Sequence, residues 1–396
     1  MGLNRKRFRL LLLSTGLSVA AAAMVFAFAD DRSREALVSF FRPQDGDWAS
    51  SEDGTNQAWP RRVATHVPEE WKYYLPEKRV RKLMQILPGK NEFDPWTCTR
   101  ELPDQRYDMP WPEHRNGRIL LRTNHIGLRE DAEIPVPAPD IRVLVAGDSH
   151  TYGVCENAES FPNQLEGKLR ATMPGKSVEV LNAAVGGYTF YNYFGTLLRF
   201  RSFKPQVFVV AVYSGNDFGE MLYRHHAVNG SRPSGWTTKD TLLRDQAAKV
   251  ASNAMGQCYS QIQYLAAAPQ QQHELALSLA LQICGEMQTV CKERDITMFV
   301  CVLPSPSDLP HHGSTDQLEL ARKVLQTTAE AEAGTGRLTA DFIDALGATG
   351  IPVIDMRATF AAQDKAPYWE RDLHLDVNGH RLIAEALAPA VEAALK

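Results

Sequence analysis

A serine, an aspartate and a histidine in this chain are of the types that perform nucleophilic catalysis together. Ser149 lies in the tetrapeptide Gly-Asp-Ser-His at 147–150, and Asp372 stands two residues before His374. A serine hydroxyl attacks well only when an imidazole takes its proton, and a carboxylate must orient and stabilise that imidazole. We therefore expect Ser149 to be the nucleophile, His374 the base and Asp372 the acid, with Glu370 as the alternative acid.

A predicted strand must position the serine. Ile141–Ala146 is a short apolar run rich in β-branched residues, and Phe161–Met173 then shows the apolar spacing of a helix. A serine that follows the first strand of such a unit lies in the crevice where open α/β sheets bind ligands. The alternative is that Asp148 and Ser149 only cap a helix or shape a turn.

Strand and helix patterns alternate from residue 141 to the carboxyl terminus, which predicts an α/β fold with a parallel sheet of about five strands. The further strands are predicted at Val178–Ala183, Val207–Tyr213, Ile296–Leu303 and Pro352–Met356. Helices are predicted at Tyr191–Phe203, along Leu275–Val290 and from Gly379 onward. Tyr223 to Gln272 shows no clear element and predicts a surface insertion or a lid.

Four short motifs on these elements together resemble the blocks of the SGNH (GDSL-type) hydrolase superfamily. They are Gly147-Asp-Ser149, Asn182-Ala-Ala-Val-Gly-Gly187, Gly215-Asn-Asp217 and Asp372-Leu-His374. The resemblance covers about residues 141–396 and implies a flavodoxin-like, three-layer α/β/α domain that needs no cofactor or metal. It also implies that the oxyanion is bound by the backbone N–H groups of Ser149 and Gly187 and by the side-chain amide of Asn216.

The chain departs from the usual pattern of this superfamily in two places. Many members have the acid three residues before the histidine, where this chain has Arg371. His150 also stands where an apolar residue is more common, although it could simply be a polar residue at the start of a helix. Both features resemble SGNH domains of polysaccharide O-acetyltransferases. The stretch Asn124–Arg129 resembles anchored bacterial members, so Arg129 could reach the site, unless Gly127 merely stabilises a turn.

Other polar and aromatic residues near these motifs have simpler structural interpretations. Asp148 is expected to brace its loop through backbone hydrogen bonds, and Asp217 to cap the helix after the third strand. The histidine pairs at 225–226 and 311–312 are interpreted as exposed loop residues, since no carboxylate or cysteine lies at ligand spacing. The aromatic residues at 188–194 are interpreted as core, with a sugar or acyl pocket as the alternative. The pairing of the six cysteines stays open.

The amino terminus predicts export from the cytoplasm. Arg5, Lys6, Arg7 and Arg9 precede residues 10–29, which carry no charge and are long enough to cross a bilayer. The positive flank should stay in the cytoplasm and place everything after Asp30 outside, in the periplasm. We expect an uncleaved single-pass anchor, with cleavage after Ala27-Phe-Ala29 and secretion as the alternative.

The sequence therefore predicts a membrane anchor or signal peptide at 1–29, an accessory region at 30–140 and the SGNH domain at 141–396. Because the net charge is −4 and no basic stripe is present, nucleic acid is not an expected partner. The expected partners are the cytoplasmic membrane and an acyl ester of a glycan or lipid. The expected function is hydrolysis of acyl esters, O-acetyl above all, through an acyl-enzyme. The alternatives are an O-acyltransferase of cell-surface polysaccharide and a non-catalytic glycan-binding scaffold.

Overall fold

The computed structural model describes residues 90–229, 270–309 and 329–396, with the isolated positions 73, 75, 77, 80 and 323. Within the described ranges the chain divides into two compact units, one that includes residues 107–119 and one that includes residues 90–106 and the described residues from 120 onward. None of the helices within these described ranges is both long and apolar enough to cross a bilayer. The apolar segment at 10–29, on which the membrane prediction rests, lies outside the described residues.

In the part of the chain that the structure describes, four short strands precede the main sheet. They are β1 (Asn91–Asp94), β2 (Cys98–Glu101), β3 (Arg106–Pro110) and β4 (Arg118–Arg122). β1 pairs with β2 in antiparallel fashion, and β3 with β4 makes a second two-stranded sheet. β4 is the most apolar of the four, whereas β1 to β3 are too short and too polar to show an apolar pattern.

The main sheet has five parallel strands in the order β6-β5-β7-β8-β9. They are β5 (Ile141–Ala146), β6 (Val178–Asn182), β7 (Val207–Tyr213), β8 (Thr297–Leu303) and β9 (Val353–Asp355). Each lies within one residue of the strand predicted there at either end. Numbered along the chain, this order is 2-1-3-4-5, the flavodoxin-like arrangement of doubly wound sheets. The predicted α/β fold with about five parallel strands is confirmed.

Eight α-helices connect and cover the sheet in the described ranges. They are α1 (Ser149–Tyr152), α2 (Phe161–Thr172), α3 (Phe190–Phe200), α4 (Asp217–Asn229), α5 (Gln270–Lys292), α6 (Ala329–Thr349), α7 (Arg357–Ala361) and α8 (Val377–Ala394). The prediction that Tyr223–Gln272 has no clear element is wrong at both ends, where α4 continues to Asn229 and α5 includes Gln270–Gln272, and residues 230–269 lie outside the described residues. α6 was not predicted: Leu338, Phe342 and Leu346 are buried on it at helical spacing, but Gly334 and Gly336 interrupt the apolar pattern before them.

Alternate residues of each strand pack against two different helical layers. Leu144 and Val210 belong to the core formed with α3, α4, α5 and α6, whereas Val143 and Val209 belong to the core formed with α2 and α8. Both faces of the sheet are covered, which explains why β5 and β7 are apolar throughout. The result is the three-layer α/β/α architecture, with the carboxyl ends of β5, β6 and β7 side by side.

The cysteines contribute to this packing as thiols. Cys98, Cys155, Cys284, Cys291 and Cys301 are buried and free, and Cys258 lies outside the described residues. Burial raises the pKa of the Cys98 thiol to about 11 and that of the Cys155 thiol to about 12. These cysteines are therefore small core residues in the thiol form.

Candidate active site

The loop after β5 holds Ser149 at the start of α1. A Cβ on Gly147 would lie 2.0 Å from Thr151 Oγ1, so only glycine allows this sharp entry into the helix. The side chain of Asp148 caps α1 by accepting a hydrogen bond of 2.9 Å from the backbone N–H of His150. The interpretation of Asp148 as the residue that braces this loop is confirmed.

Asp372 and His374 lie in a tight loop before α8. Leu373, between them, has the left-handed φ of 62°, and its N–H donates to Trp369 O at 3.0 Å. This reversal of the chain turns the Asp372 carboxylate back onto its neighbour, where it accepts from the backbone N–H of His374 at 3.2 Å. The Trp369 indole N–H donates to Val154 O at 2.9 Å and so ties the loop to the serine loop.

Ser149, His374 and Asp372 form a continuous chain of hydrogen bonds. His374 Nε2 lies 2.9 Å from Ser149 Oγ, and His374 Nδ1 is hydrogen-bonded to Asp372 Oδ2. Because an ionised carboxylate only accepts, the neutral imidazole carries its proton on Nδ1 and leaves Nε2 free to accept from the serine. Glu370, the alternative acid, forms an ion pair with Lys365 at 2.8 Å, with 71% of its side chain exposed, so it does not take the place of Asp372.

The turn after β6 passes beside the serine. Gly187 has a φ of +74°, and a Cβ on Gly186 would lie 3.8 Å from the Cβ of Ser149. Arg224 donates a hydrogen bond of 2.5 Å to the carbonyl of Gly187. Glycine adopts this positive φ without steric cost, so the motif places a bare stretch of backbone next to the nucleophile.

Asn216 follows β7 and directly precedes α4. Only 4% of its surface is exposed, and its Nδ2 donates to Glu220 Oε1 at 3.3 Å. Sequence analysis did not single out Glu220 or Arg224. The only pattern that could have indicated them is their spacing of four and eight residues from Asn216, which places all three on one helix face.

Three carboxyl groups, those of Asp148, Asp217 and Glu220, lie near Asn216 and have raised pKa values. Burial raises the pKa of Asp148 to about 6, although the His150 N–H, the charge of His374 and the Asn216 side chain favour its ionised form. Burial likewise raises the pKa of Glu220 to about 7 and that of Asp217 well above its usual range. The expected capping role of Asp217 is wrong, because its Oδ2 accepts from Tyr193 Oη at 2.8 Å and from the backbone N–H of Tyr213 at 2.9 Å.

His150 is fully buried between two aromatic rings. Its ring centroid lies 3.6 Å from that of Tyr213 in a stacked arrangement and 4.8 Å from that of His374. Neither ring nitrogen has a hydrogen-bond partner among the described residues, and burial lowers the pKa of His150 well below its usual value. His150 therefore stays neutral and packs against His374, which its interpretation as an ordinary polar residue did not anticipate.

Arg129 supports the serine loop from outside the site. Its guanidinium binds Asn157 Oδ1 and donates to the carbonyls of Gly153 at 3.3 Å and Cys155 at 2.6 Å. It thus holds the segment after α1, while its reach to the serine itself stays a hypothesis. The predicted turn is also present, since Gly127 N–H donates to Asn124 O at 2.9 Å.

Two histidine pairs and a run of aromatic residues also carry predictions from the sequence. The interpretation of His225 and His226 as exposed loop residues is wrong: both lie on α4, where His226 is buried and contacts Gln272 Oε1 at 3.3 Å. His311 and His312 lie outside the described residues.

The aromatic residues that follow Gly187 are buried in the core, as expected; they are Tyr188, Phe190, Tyr191, Tyr193 and Phe194. Within the described ranges, no three His, Cys, Asp or Glu residues are arranged to hold a metal ion.

Comparison with known proteins agrees with this architecture. Residues 145–382 match the family model of the GDSL-like Lipase/Acylhydrolase family, more than half of the chain. The chain therefore belongs to this family, and it is an SGNH-type serine esterase, an enzyme that hydrolyses acyl esters. No curated protein sequence matches the chain.

Several solved structures are similar to it at low sequence identity. The acetyl xylan esterase AlAXEase is 16% identical, with 63% of this chain and 100% of that chain covered and a TM-score of 0.37. A catalytic mutant of Axe2, an acetylxylan esterase from Geobacillus stearothermophilus, is 11% identical, with 64% and 94% covered and a TM-score of 0.38. A GDSL-like lipase from Bacteroides thetaiotaomicron VPI-5482 is 15% identical, with 66% and 93% covered and a TM-score of 0.33.

Proposed function

We propose that this enzyme hydrolyses O-acyl esters, O-acetyl groups above all, with Ser149 as nucleophile, His374 as general base and Asp372 as the acid that orients the imidazole. The observation that carries the proposal is the hydrogen-bond chain from Ser149 Oγ through both nitrogens of His374 to Asp372. A nucleophile, its base and an orienting group within hydrogen-bond reach are what covalent catalysis by serine requires.

The first half of the reaction forms an acyl-enzyme. Ser149 Oγ attacks the ester carbonyl while His374 Nε2, at 2.9 Å, takes the hydroxyl proton. Asp372 stabilises the imidazolium that results, and His374 then gives the proton to the leaving alcohol. In the second half, a water molecule activated by the same imidazole attacks the acyl-enzyme, and Ser149 leaves with its proton restored.

The negative charge of each tetrahedral intermediate needs preorganised donors. The backbone N–H groups of Ser149 and Gly187 and the Nδ2 group of Asn216 are proposed for this role. The low exposure of Asn216 and the bare backbone at Gly187 support it, because donors in a water-poor site stabilise a developing charge more strongly than donors in water.

The proposed substrate is an acylated glycan or lipid outside the cytoplasm, with the enzyme held at the cytoplasmic membrane by residues 10–29. The four cationic residues before that uncharged stretch support this orientation. The accessory region at 30–140 and the catalytic domain at 141–396 would then both lie in the periplasm, or in the medium if the segment is cleaved.

The test is release of acetate and p-nitrophenol from p-nitrophenyl acetate by residues 30–396, with and without an added oligosaccharide acceptor. Hydrolysis at a rate independent of the acceptor, and its loss in Ser149→Ala, are expected. Acetylation of the oligosaccharide would instead identify an O-acyltransferase, which uses the same triad with a sugar hydroxyl in place of water. Absence of turnover in the folded wild-type enzyme on this ester and on acetylated oligosaccharides would contradict the proposal.

A further inference from the structure

One face of α4 carries polar side chains that connect Asn216 with Gly187, the two proposed oxyanion residues that do not belong to the serine loop. Asn216, Glu220 and Arg224 follow one another at intervals of four residues, a spacing that brings side chains together on a helix. The Asn216 carbonyl accepts from the backbone N–H of Glu220 at 2.8 Å, so Asn216 is part of the helix start. We refer to these three residues as the α4 column.

The contact between Glu220 and Asn216 determines which way the amide faces. Asn216 Nδ2 donates to Glu220 Oε1 at 3.3 Å. In its ionised form Glu220 accepts hydrogen bonds and cannot donate them, so a reversed amide would set Asn216 Oδ1 against the carboxylate and repel it. Oδ1 has no hydrogen-bond partner in the described part of the chain. Glu220 thus holds the NH₂ end of the Asn216 amide in place.

The contact between Arg224 and Gly187 restrains the other donor. Arg224 is only 8% exposed and donates to Gly187 O at 2.5 Å, a short hydrogen bond from a charged group. Glycine is the most flexible residue, so the positive φ of Gly187 needs a restraint from its surroundings. A buried guanidinium on the following peptide supplies it and keeps the Gly187 N–H in one direction.

We propose that Glu220 and Arg224 are positioning residues of the oxyanion hole, Glu220 acting through the Asn216 amide and Arg224 through the Gly187 backbone. The charge of Arg224 also attracts the Glu220 carboxylate, so the two parts of the column support each other. This inference rests on the proposed function, because it requires that Asn216 and Gly187 bind the oxyanion.

The two residues should be distinguishable by how their effects combine with Asn216→Ala. Glu220→Ala should lower kcat about 10- to 100-fold with little change in KM, the range expected for a lost charge-assisted hydrogen bond that matters in the transition state. In an Asn216→Ala enzyme, Glu220→Ala should cause no further loss, because its target is gone. Arg224→Met should lower kcat in both backgrounds, because its contact with Gly187 O does not depend on Asn216.

Conservative and control variants separate positioning from folding. Glu220→Gln and Arg224→Lys should retain part of the lost kcat, and Tyr223→Ala, at an exposed position of the same helix, should leave kcat unchanged. Thermal melts identify variants that do not fold; if Glu220→Ala is one of them, Glu220→Gln is compared in the two backgrounds instead.

The inference is overturned if the Glu220 substitution lowers kcat equally with and without Asn216, which is the behaviour of a merely structural residue. It is also overturned if Arg224→Met leaves kcat unchanged. Either result together with an inactive Ser149→Ala would leave the serine mechanism intact. An active Ser149→Ala would instead refute the proposed function itself.

Discussion

The two sides of Ser149 are built in different ways. The base side is the loop Trp369–Asp376, in which Asp372 and His374 are two residues apart and their side chains are 29% and 10% exposed. The oxyanion side consists of Gly187 and the α4 column, which come from separate elements. Buried carboxyl groups surround it, and their pKa values are raised by desolvation.

The two sides therefore hold their functional groups in position by different means. On the base side, one left-handed residue, Leu373, brings the acid and the imidazole together within a short loop. The hydrogen bonds from Leu373 N–H to Trp369 O and from the Trp369 indole N–H to Val154 O hold this loop in place. On the oxyanion side, precision comes from charges and dipoles held in a region of low dielectric, where interactions between polar groups are strong and unpaired groups are costly. The base side should therefore respond to substitution as a local unit, and the oxyanion side as a network.

The largest effect is expected from removing the side chain of Ser149 or of His374, because these two residues form the centre of the hydrogen-bond chain. Ser149→Ala and His374→Ala should each lower kcat by about 10⁴- to 10⁶-fold, and the double variant should be no worse, because nucleophile and base act as one unit. Steady-state rates on p-nitrophenyl acetate measure this. Losses that multiply in the double variant would show that the two residues act independently.

The next effect tests which acid completes the base side. Asp372→Asn should lower kcat by about 10²- to 10⁴-fold, because the wrong imidazole tautomer is then favoured. Glu370→Gln is the matched control, since Glu370 is bound to Lys365 at the surface, and its kcat should equal that of the wild type. A larger loss in Glu370→Gln than in Asp372→Asn would reverse the assignment.

A smaller effect is expected on the oxyanion side. Asn216→Ala should lower kcat about 100- to 1000-fold with an almost unchanged KM, because the lost donor acts mainly on the transition state. The triad stays intact, so covalent labelling of Ser149 should still occur, at a reduced rate. A rise in KM with unchanged kcat would place Asn216 in substrate binding instead.

The smallest expected effect is on the free energy of unfolding. It tests whether the oxyanion side is a buried polar network. Burial raises the pKa of Glu220 from 4.5 to about 7, so the folded state holds this proton more tightly than the unfolded state. Its contribution to stability is complete below about pH 4.5 and declines as the pH rises through 7. Glu220→Gln does not titrate and should therefore gain in relative stability over this range, by at most roughly 3 kcal/mol.

Urea unfolding of wild type and Glu220→Gln at pH 4.5 and pH 8 provides the measurement. The difference between the two proteins isolates Glu220 from Asp148 and Arg224, which face the same carboxyl group. A difference that does not change with pH would mean that Glu220 is solvated, and the contrast between the two sides of Ser149 would then be weaker than described.

The sequence by itself determined the sheet and the three residues that the structure joins by hydrogen bonds, Ser149, His374 and Asp372. The central strands β5, β7 and β8 are buried on both faces, so their apolar runs are continuous and conspicuous, and all five strands of the main sheet were located to within a residue at either end. Ser149, Asp372 and His374 were found because they belong to short motifs at strand ends or before the last helix. The polar strands β1 to β3 were missed because they carry no run of apolar residues, and α6 was missed because the Ala, Glu, Gly and Thr residues of its first half show no apolar stripe.

Only the tertiary structure decided how the remaining polar groups are used. Asp217 bonds back to Tyr213 and Tyr193 instead of capping its helix, and His150 packs between Tyr213 and His374. Glu220 and Arg224 gained their significance only when β6 and α4 were brought together. Desolvation and hydrogen-bond partners depend on residues distant in sequence, so no local pattern of residue types could have indicated them.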